Sequence, residues 1–194
     1  RSCLVGSEMC IRDRYLSVLT TNTFAEVKMG IILGFTGPIE SLTPAMAASA
    51  ELAFKEASDS GSLLGGEKIK PIRADSTCVD SAAATTAAEG LVSQGVAAIM
   101  GADCSGVTGA IASNVAVSNG IVMISPSATS PGLTTLDDKG LFFRTAPSDA
   151  RGGQILADIT KDRKIKSVAI TYTNNDYGKG CLLYTSPSPR DKTV

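Results

Sequence analysis

Two short segments carry the residue types that could hold a small charged ligand. Gly101-Ala-Asp-Cys-Ser-Gly106-Val107-Thr108 has the glycine spacing of a phosphate-cradling loop, but Val107 stands where such a loop needs its lysine. Nucleotide phosphate chemistry fails at that position. What survives is the chemistry of a helix N-terminus: backbone N–H groups without intrahelical partners, a partial positive charge and the Ser105 hydroxyl, matched to one singly charged group such as a carboxylate. The same serine could equally serve as a plain helix cap. Ser125-Pro-Ser-Ala-Thr-Ser-Pro131 offers hydroxyls at Ser125, Ser127, Thr129 and Ser130, stiffened by two prolines and without a titratable group. Such a loop suits holding a ligand rather than acid–base work, and it also reads as ordinary turn chemistry.

Composition narrows the field further. Among 194 residues there is no His, which removes Ser-His-Asp and Cys-His catalysis and the commonest metal ligand together. With 18 basic against 19 acidic residues the chain has no basic excess for nucleic acid. The hydrophobic fraction of 43% can fill a core, and with only 5% aromatics that core must be built from Ala, Val, Ile and Leu. No metal and no cofactor is expected. No stretch reaches the roughly 18 apolar residues of a transmembrane helix.

The five cysteines resolve once the ends of the chain are set aside. One DNA strand can encode residues 3–14 while its reverse complement, in a shifted frame, can encode 181–191, which resembles read-through of a transposon-type sequencing adapter. Residues 1–14 and 181–194 are therefore read as adapter-like, against the alternative of a terminal strand and a Pro-rich tail. Residues 15–25 resemble the end of a signal peptide with Thr-Phe-Ala25 as a cleavage site, or else a short strand or linker. Cys78 and Cys104 remain, as a disulfide in an exported protein or as two buried thiols.

The elements that must position these segments alternate. Val27–Leu33, Lys68–Ala74, Val96–Met100, Ile121–Ile124, Phe142–Thr145 and Ser167–Tyr172 read as strands; Pro44–Ser58, Asp80–Ser93, Val107–Ser118 and Asp149–Lys161 read as helices. Most of these strands are continuous apolar runs, as a parallel sheet covered on both faces requires. The expected class is α/β with a doubly wound parallel sheet, whose ligands sit beyond the carboxyl ends of the strands.

In their order and spacing, Gly34-Phe-Thr-Gly-Pro38, Gly101-Ala-Asp-Cys-Ser-Gly106, Ile124-Ser-Pro-Ser-Ala-Thr-Ser-Pro131, Phe143-Arg-Thr-Ala-Pro-Ser-Asp149 and Asp176-Tyr-Gly-Lys-Gly180 resemble the leucine/isoleucine/valine-type periplasmic binding proteins. The resemblance covers nearly all of 26–180. It implies a type I periplasmic binding protein fold of two doubly wound lobes, with 26–145 in the N-terminal lobe and 146–180 starting the second. Family members close on an amino acid in the cleft between the lobes and deliver it to an ABC transporter permease. By resemblance, Ser105 holds the α-carboxylate, while Thr129 and the Ser127 carbonyl serve the ammonium, with Ala128 and Cys104 in the same binding loops. Cys78 and Cys104 match a family disulfide. Tyr177 matches an aromatic of the opposite lobe, or packs in the core, and Leu42 falls where the side-chain pocket often has an aromatic. An acidic partner for the ammonium would lie beyond residue 180. The function implied is non-enzymatic: periplasmic capture of an aliphatic amino acid or similar small carboxylate, or the same fold used as a ligand sensor.

Overall fold

The computed structural model describes residues 26–63 and 66–185. The adapter-like segment 1–14, the signal-like segment 15–25, and residues 186–194 of the adapter-like segment 181–194 lie outside them. Five strands, β1 (Glu26–Leu33), β2 (Lys68–Asp75), β3 (Ala98–Gly101), β4 (Val122–Ser125) and β5 (Phe142–Arg144), form one sheet of order β2-β1-β3-β4-β5. All the pairings are parallel.

That order dictates where the helices lie. The chain moves one way from β1 to β2 and the other way from β2 to β3, and right-handed crossovers then put the two connecting helices on opposite faces. Accordingly α1 (Thr43–Asp59) packs its buried Ala47 on Ile31 and Leu33. On the other face, α2 (Ser81–Ser93) and α3 (Ser105–Ile111) bury Ala84, Ala88, Leu91, Val107 and Ile111 against Ile32, Ile99 and Met123. Ile31, Ile32 and Leu33 are each 0% exposed, so the run in β1 fills both layers, at roughly 1.5–3 kcal/mol per aliphatic side chain. β2 is the edge strand. Its exposed Lys68, Lys70 and Arg73, the lack of any fully buried residue along it, and its tolerance of Pro71 follow from having one open side.

Local signals hold where they are short-range. Asp80 caps α2, its carboxylate accepting the N–H groups of Ala82 at 2.9 Å and Ala83 at 3.0 Å. The helix expected over 107–118 begins earlier, at Ser105, and passes from α3 into a π-helical turn over Ala112–Ala116. α4 (Asp149–Asp162) is capped by Ser148, and a further helix, α5 (Asp176–Thr185), crosses the boundary expected at 181.

One expectation is corrected. Residues 167–172 form no strand; they are exposed throughout, with Val168 at 55%. The apolar pattern is strand-like, but a strand exists only with a hydrogen-bonded neighbour, and no described element pairs with this segment.

Gly101 closes β3 at φ +132°, and a Cβ there would lie 1.9 Å from the Ile32 carbonyl oxygen. Backbone meets backbone at this point, with no flexible side chain to yield. Gly101→Ala is expected to lower stability by more than about 3 kcal/mol, measured as loss of the cooperative urea transition at ordinary midpoint.

Candidate functional site

The carboxyl ends of β1, β2, β3 and β4 converge on one buried side chain, Asp103, which is 4% exposed. Its Oδ2 accepts the Gly34 N–H at 2.7 Å, and its Oδ1 accepts the Ser76 hydroxyl at 3.3 Å and the Cys104 N–H at 2.9 Å. The Ser127 hydroxyl donates to the Asp103 carbonyl at 3.0 Å. Loops following four strands are thus tied to one residue. Hydrogen bonds to a charged acceptor contribute about 1.5–3 kcal/mol each, and a buried carboxylate is tolerable only when so satisfied. The sequence reading passed over Asp103 as part of a phosphate-loop-like run. The signal was present, in a lone acid inside an otherwise small and apolar turn, but its partners are 24 to 69 residues away.

Cys78 and Cys104 form the disulfide that the resemblance implied, with Cα atoms 5.2 Å apart. It joins the turn after β2 to the residue preceding α3. Closing a 26-residue separation contributes about 3–4 kcal/mol in the chain-entropy view. Cys78 and Thr77 both sit at positive φ, 68° and 57°. Gly34 packs on this bridge, where a Cβ would lie 3.2 Å from the Cys78 Cβ.

Asp75 braces the outer side. Its carboxylate accepts the Thr36 hydroxyl at 2.6 Å and the Thr77 N–H at 2.8 Å. Burial pushes its pKa up, but these bonds, led by the Thr36 hydroxyl, outweigh burial and leave it below the ordinary value. Next to it, Arg73 pairs with Glu51 through both Nε (2.6 Å) and an amino group (2.8 Å) and lies 5.6 Å from the Phe35 ring centre.

Ser105 does not cap α3. Cys104 is the N-cap, without a side-chain bond, and Ser105 is the first helical residue. Its buried hydroxyl accepts the Ser130 N–H at 3.2 Å, which fixes the 126–131 loop against α3. Within that loop the Ser125 hydroxyl donates to the Ala102 carbonyl and accepts the Ala128 N–H at 3.0 Å. The Thr129 hydroxyl donates to the Asp149 carboxylate at 2.6 Å, and the Thr129 carbonyl accepts the Asp149 N–H at 3.1 Å. Arg144 donates to the Ser130 carbonyl at 2.8 Å from β5. Ser105, Ala128, Thr129 and Cys104 are brought together, with Ser127 exposed at their rim.

A cavity of about 610 Å³ opens beside them, between α3, the 3₁₀ turn Pro131–Thr135 and α5. Ser105 and Ser130 reach it; Ser127, Thr129, Leu42 and Tyr177 do not. Leu42 is 61% exposed where the chain enters α1, and Tyr177 is 49% exposed on α5, so neither is core packing. Among the described residues no group of three or more His, Cys, Asp or Glu could hold a metal ion, and no helix is long and apolar enough to cross a membrane.

Parallel strands in the order 2-1-3-4-5 match the type I periplasmic-binding-protein α/β fold. The chain belongs to the family described as receptor family ligand binding region, whose model matches residues 45–193. It is 35% identical over 165 residues to Leu/Ile/Val-binding protein homolog 1 of Brucella melitensis, covering 82% of this chain and 42% of that protein. Homolog 3 of the same organism is 29% identical over 160 residues, covering 81% and 42%. Among solved structures, the branched-chain amino acid transporter substrate binding protein LivJ from Streptococcus pneumoniae in complex with isoleucine is similar at 29% identity. Its TM-score is 0.71, over 82% of this chain and 45% of that one. The chain therefore spans about two fifths of the length of the curated relatives it matches.

Two outcomes test the frame of the site. Asp103→Ala leaves two N–H groups and a hydroxyl without their acceptor and is expected to cost about 3 kcal/mol or more in chemical denaturation. For Asp75 the folded pKa lies below the unfolded one, so its contribution is complete above 3.8 and is lost as pH falls through the lower folded value. The melting-temperature gap between the protein and Asp75→Asn should accordingly be full near about pH 6 and shrink in acid below about pH 4.

Proposed function

We propose that the protein is a non-enzymatic, extracytoplasmic solute-binding subunit that captures an aliphatic amino acid or similar small carboxylate and delivers it to an ABC transporter permease. The observation that carries this reading is the Asp103 hub. It holds Ser105, the first turn of α3 and the Ser127–Thr129 loop in one place beyond the strand ends. Ser105 accepts from Ser130 and so keeps its own hydroxyl proton to give, as a carboxylate requires. Thr129 gives its proton to Asp149, which turns its lone pairs outward as acceptors for an ammonium group. The two hydroxyls are thereby polarised in opposite senses, donor at one end and acceptor at the other. That matches an α-amino acid end to end. Leu42 and Tyr177 are assigned to the approach to this site, as contacts for the ligand's side chain. The relatives named as Leu/Ile/Val-binding proteins support the amino-acid class.

A second reading, a ligand-sensing domain, is favoured by the description of the family as a receptor ligand binding region. Both readings share the same site chemistry. They separate on whether uptake of the ligand by cells depends on the protein.

Calorimetric titration of leucine into the full-length gene product tests the site. Ser105→Ala is expected to weaken binding roughly tenfold to a hundredfold, the worth of one hydrogen bond to a charged group. Unchanged affinity would remove Ser105 from the site.

A further inference from the structure

Outside the ladder, the loop after β4 must find donors for its own carbonyl groups, and Pro126 and Pro131 bring no N–H of their own. The donors come from one short segment, 144–149, which leads from β5 into α4. The Thr145 N–H donates to the Ser125 carbonyl at 3.0 Å, and its hydroxyl to the Pro126 carbonyl at 3.2 Å. The Asp149 N–H donates to the Thr129 carbonyl at 3.1 Å. Arg144 supplies the rest. One of its amino groups donates to the Ser130 carbonyl at 2.8 Å and more loosely to the Ala128 carbonyl at 3.5 Å, and the other to the Thr134 hydroxyl at 2.5 Å. From Ser125 to Ser130, only the Ser127 carbonyl receives nothing from this segment. It is the carbonyl that the resemblance implies for a ligand.

The strand explains how Arg144 reaches the loop. Side chains alternate along β5, and Phe142 is buried in the layer of α2 and α3, so Arg144 leaves the strand end on that same face. There Ser130 is held at both ends, its carbonyl by Arg144 and its N–H by the Ser105 hydroxyl at 3.2 Å. The bond that leaves Ser105 a donor thus depends on where Arg144 puts Ser130.

We propose that Arg144 is a positioning residue of the binding site: acting through Ser130 rather than on the ligand, it fixes the polarity of the Ser105 hydroxyl. The inference rests on the solute-binding reading above and adds a residue to that site. A guanidinium suits the role because its planar fork spans the Ser130 carbonyl and the Thr134 hydroxyl at once, which the single ammonium of a lysine does not reproduce.

A double-mutant cycle in leucine affinity, measured by calorimetry on the full-length protein, tests this. Arg144→Met is expected to weaken leucine about tenfold on its own and about threefold or less in the Ser105→Ala background, because the hydroxyl that Arg144 orients is then gone. A general loss of folded protein would instead affect both backgrounds equally. Arg144→Lys, which keeps the charge without the fork, should fall between the parent and Arg144→Met. Where Arg144→Met does not fold, Arg144→Lys carries the same cycle. An affinity unchanged in folded Arg144→Met, or an equal loss in both backgrounds, overturns Arg144 as a positioning residue and leaves the solute-binding reading intact. Failure of the unsubstituted protein to bind leucine overturns that reading itself.

Discussion

A buried aspartate that ties four loops together, three through its carboxylate and one through its carbonyl, is the constraint from which the geometry of the site follows. In a parallel sheet each strand ends on the same side, and each ends in a loop with free backbone polar groups. These loops have no ladder to hold them. Asp103 supplies a common acceptor, taking N–H groups from the loops after β1 and β3 and a hydroxyl from the loop after β2. Its carbonyl takes the Ser127 hydroxyl from the loop after β4. Because the carboxylate has no cationic partner in this network, its charge is balanced by dipoles, and losing any one donor raises the cost of burying it. The first three loops are therefore coupled: none of them can move far without uncovering the charge.

The remaining braces act on what Asp103 leaves loose. The disulfide fixes Cys104 from the outside, next in the chain to both Asp103 and Ser105. Asp75 draws the start of the first loop, at Thr36, toward the end of β2. Arg144 holds the far end of the fourth loop through the Ser130 carbonyl, and Ser130 in turn donates to Ser105. Each brace connects a loop to a neighbouring loop or strand end, while Asp103 connects them all.

What could be read from the sequence divides along the range of the interaction. β1 was legible because Ile31, Ile32 and Leu33 must be buried on two faces, and Asp80 because a cap reaches only two or three residues ahead. The pairing of Cys78 with Cys104 came from resemblance, since spacing alone leaves two buried thiols open. Residues 167–172 misled because an apolar run proposes a strand that only a partner strand can form. The cap alternative for Ser105 failed in a subtler way. A serine ahead of a helix invites a cap, but the cap position fell one residue earlier, and the hydroxyl was taken by Ser130, 25 residues distant. Asp103 escaped for the same reason: the lone acid in a small, apolar turn is visible, but its donors come from three other loops that the turn does not reveal.

In the solute-binding role proposed above, the arrangement would let hydroxyls alone discriminate on this face. A serine or threonine hydroxyl is both donor and acceptor, and by itself it greets a carboxylate and an ammonium equally. Here each hydroxyl already has one bond that decides the other. Ser105 receives a proton from Ser130 and is left to donate, whereas Thr129 donates to Asp149 and is left to accept. The choice is made by the neighbouring Ser130 and Asp149, and it holds only while the loops keep their places. Rigidity and polarity are then the same property, because a loop that slipped would free its hydroxyl to turn around. In the solute-binding role proposed above, a ligand arriving at loops already fixed would spend little on ordering them, and more of its interaction energy would appear as affinity.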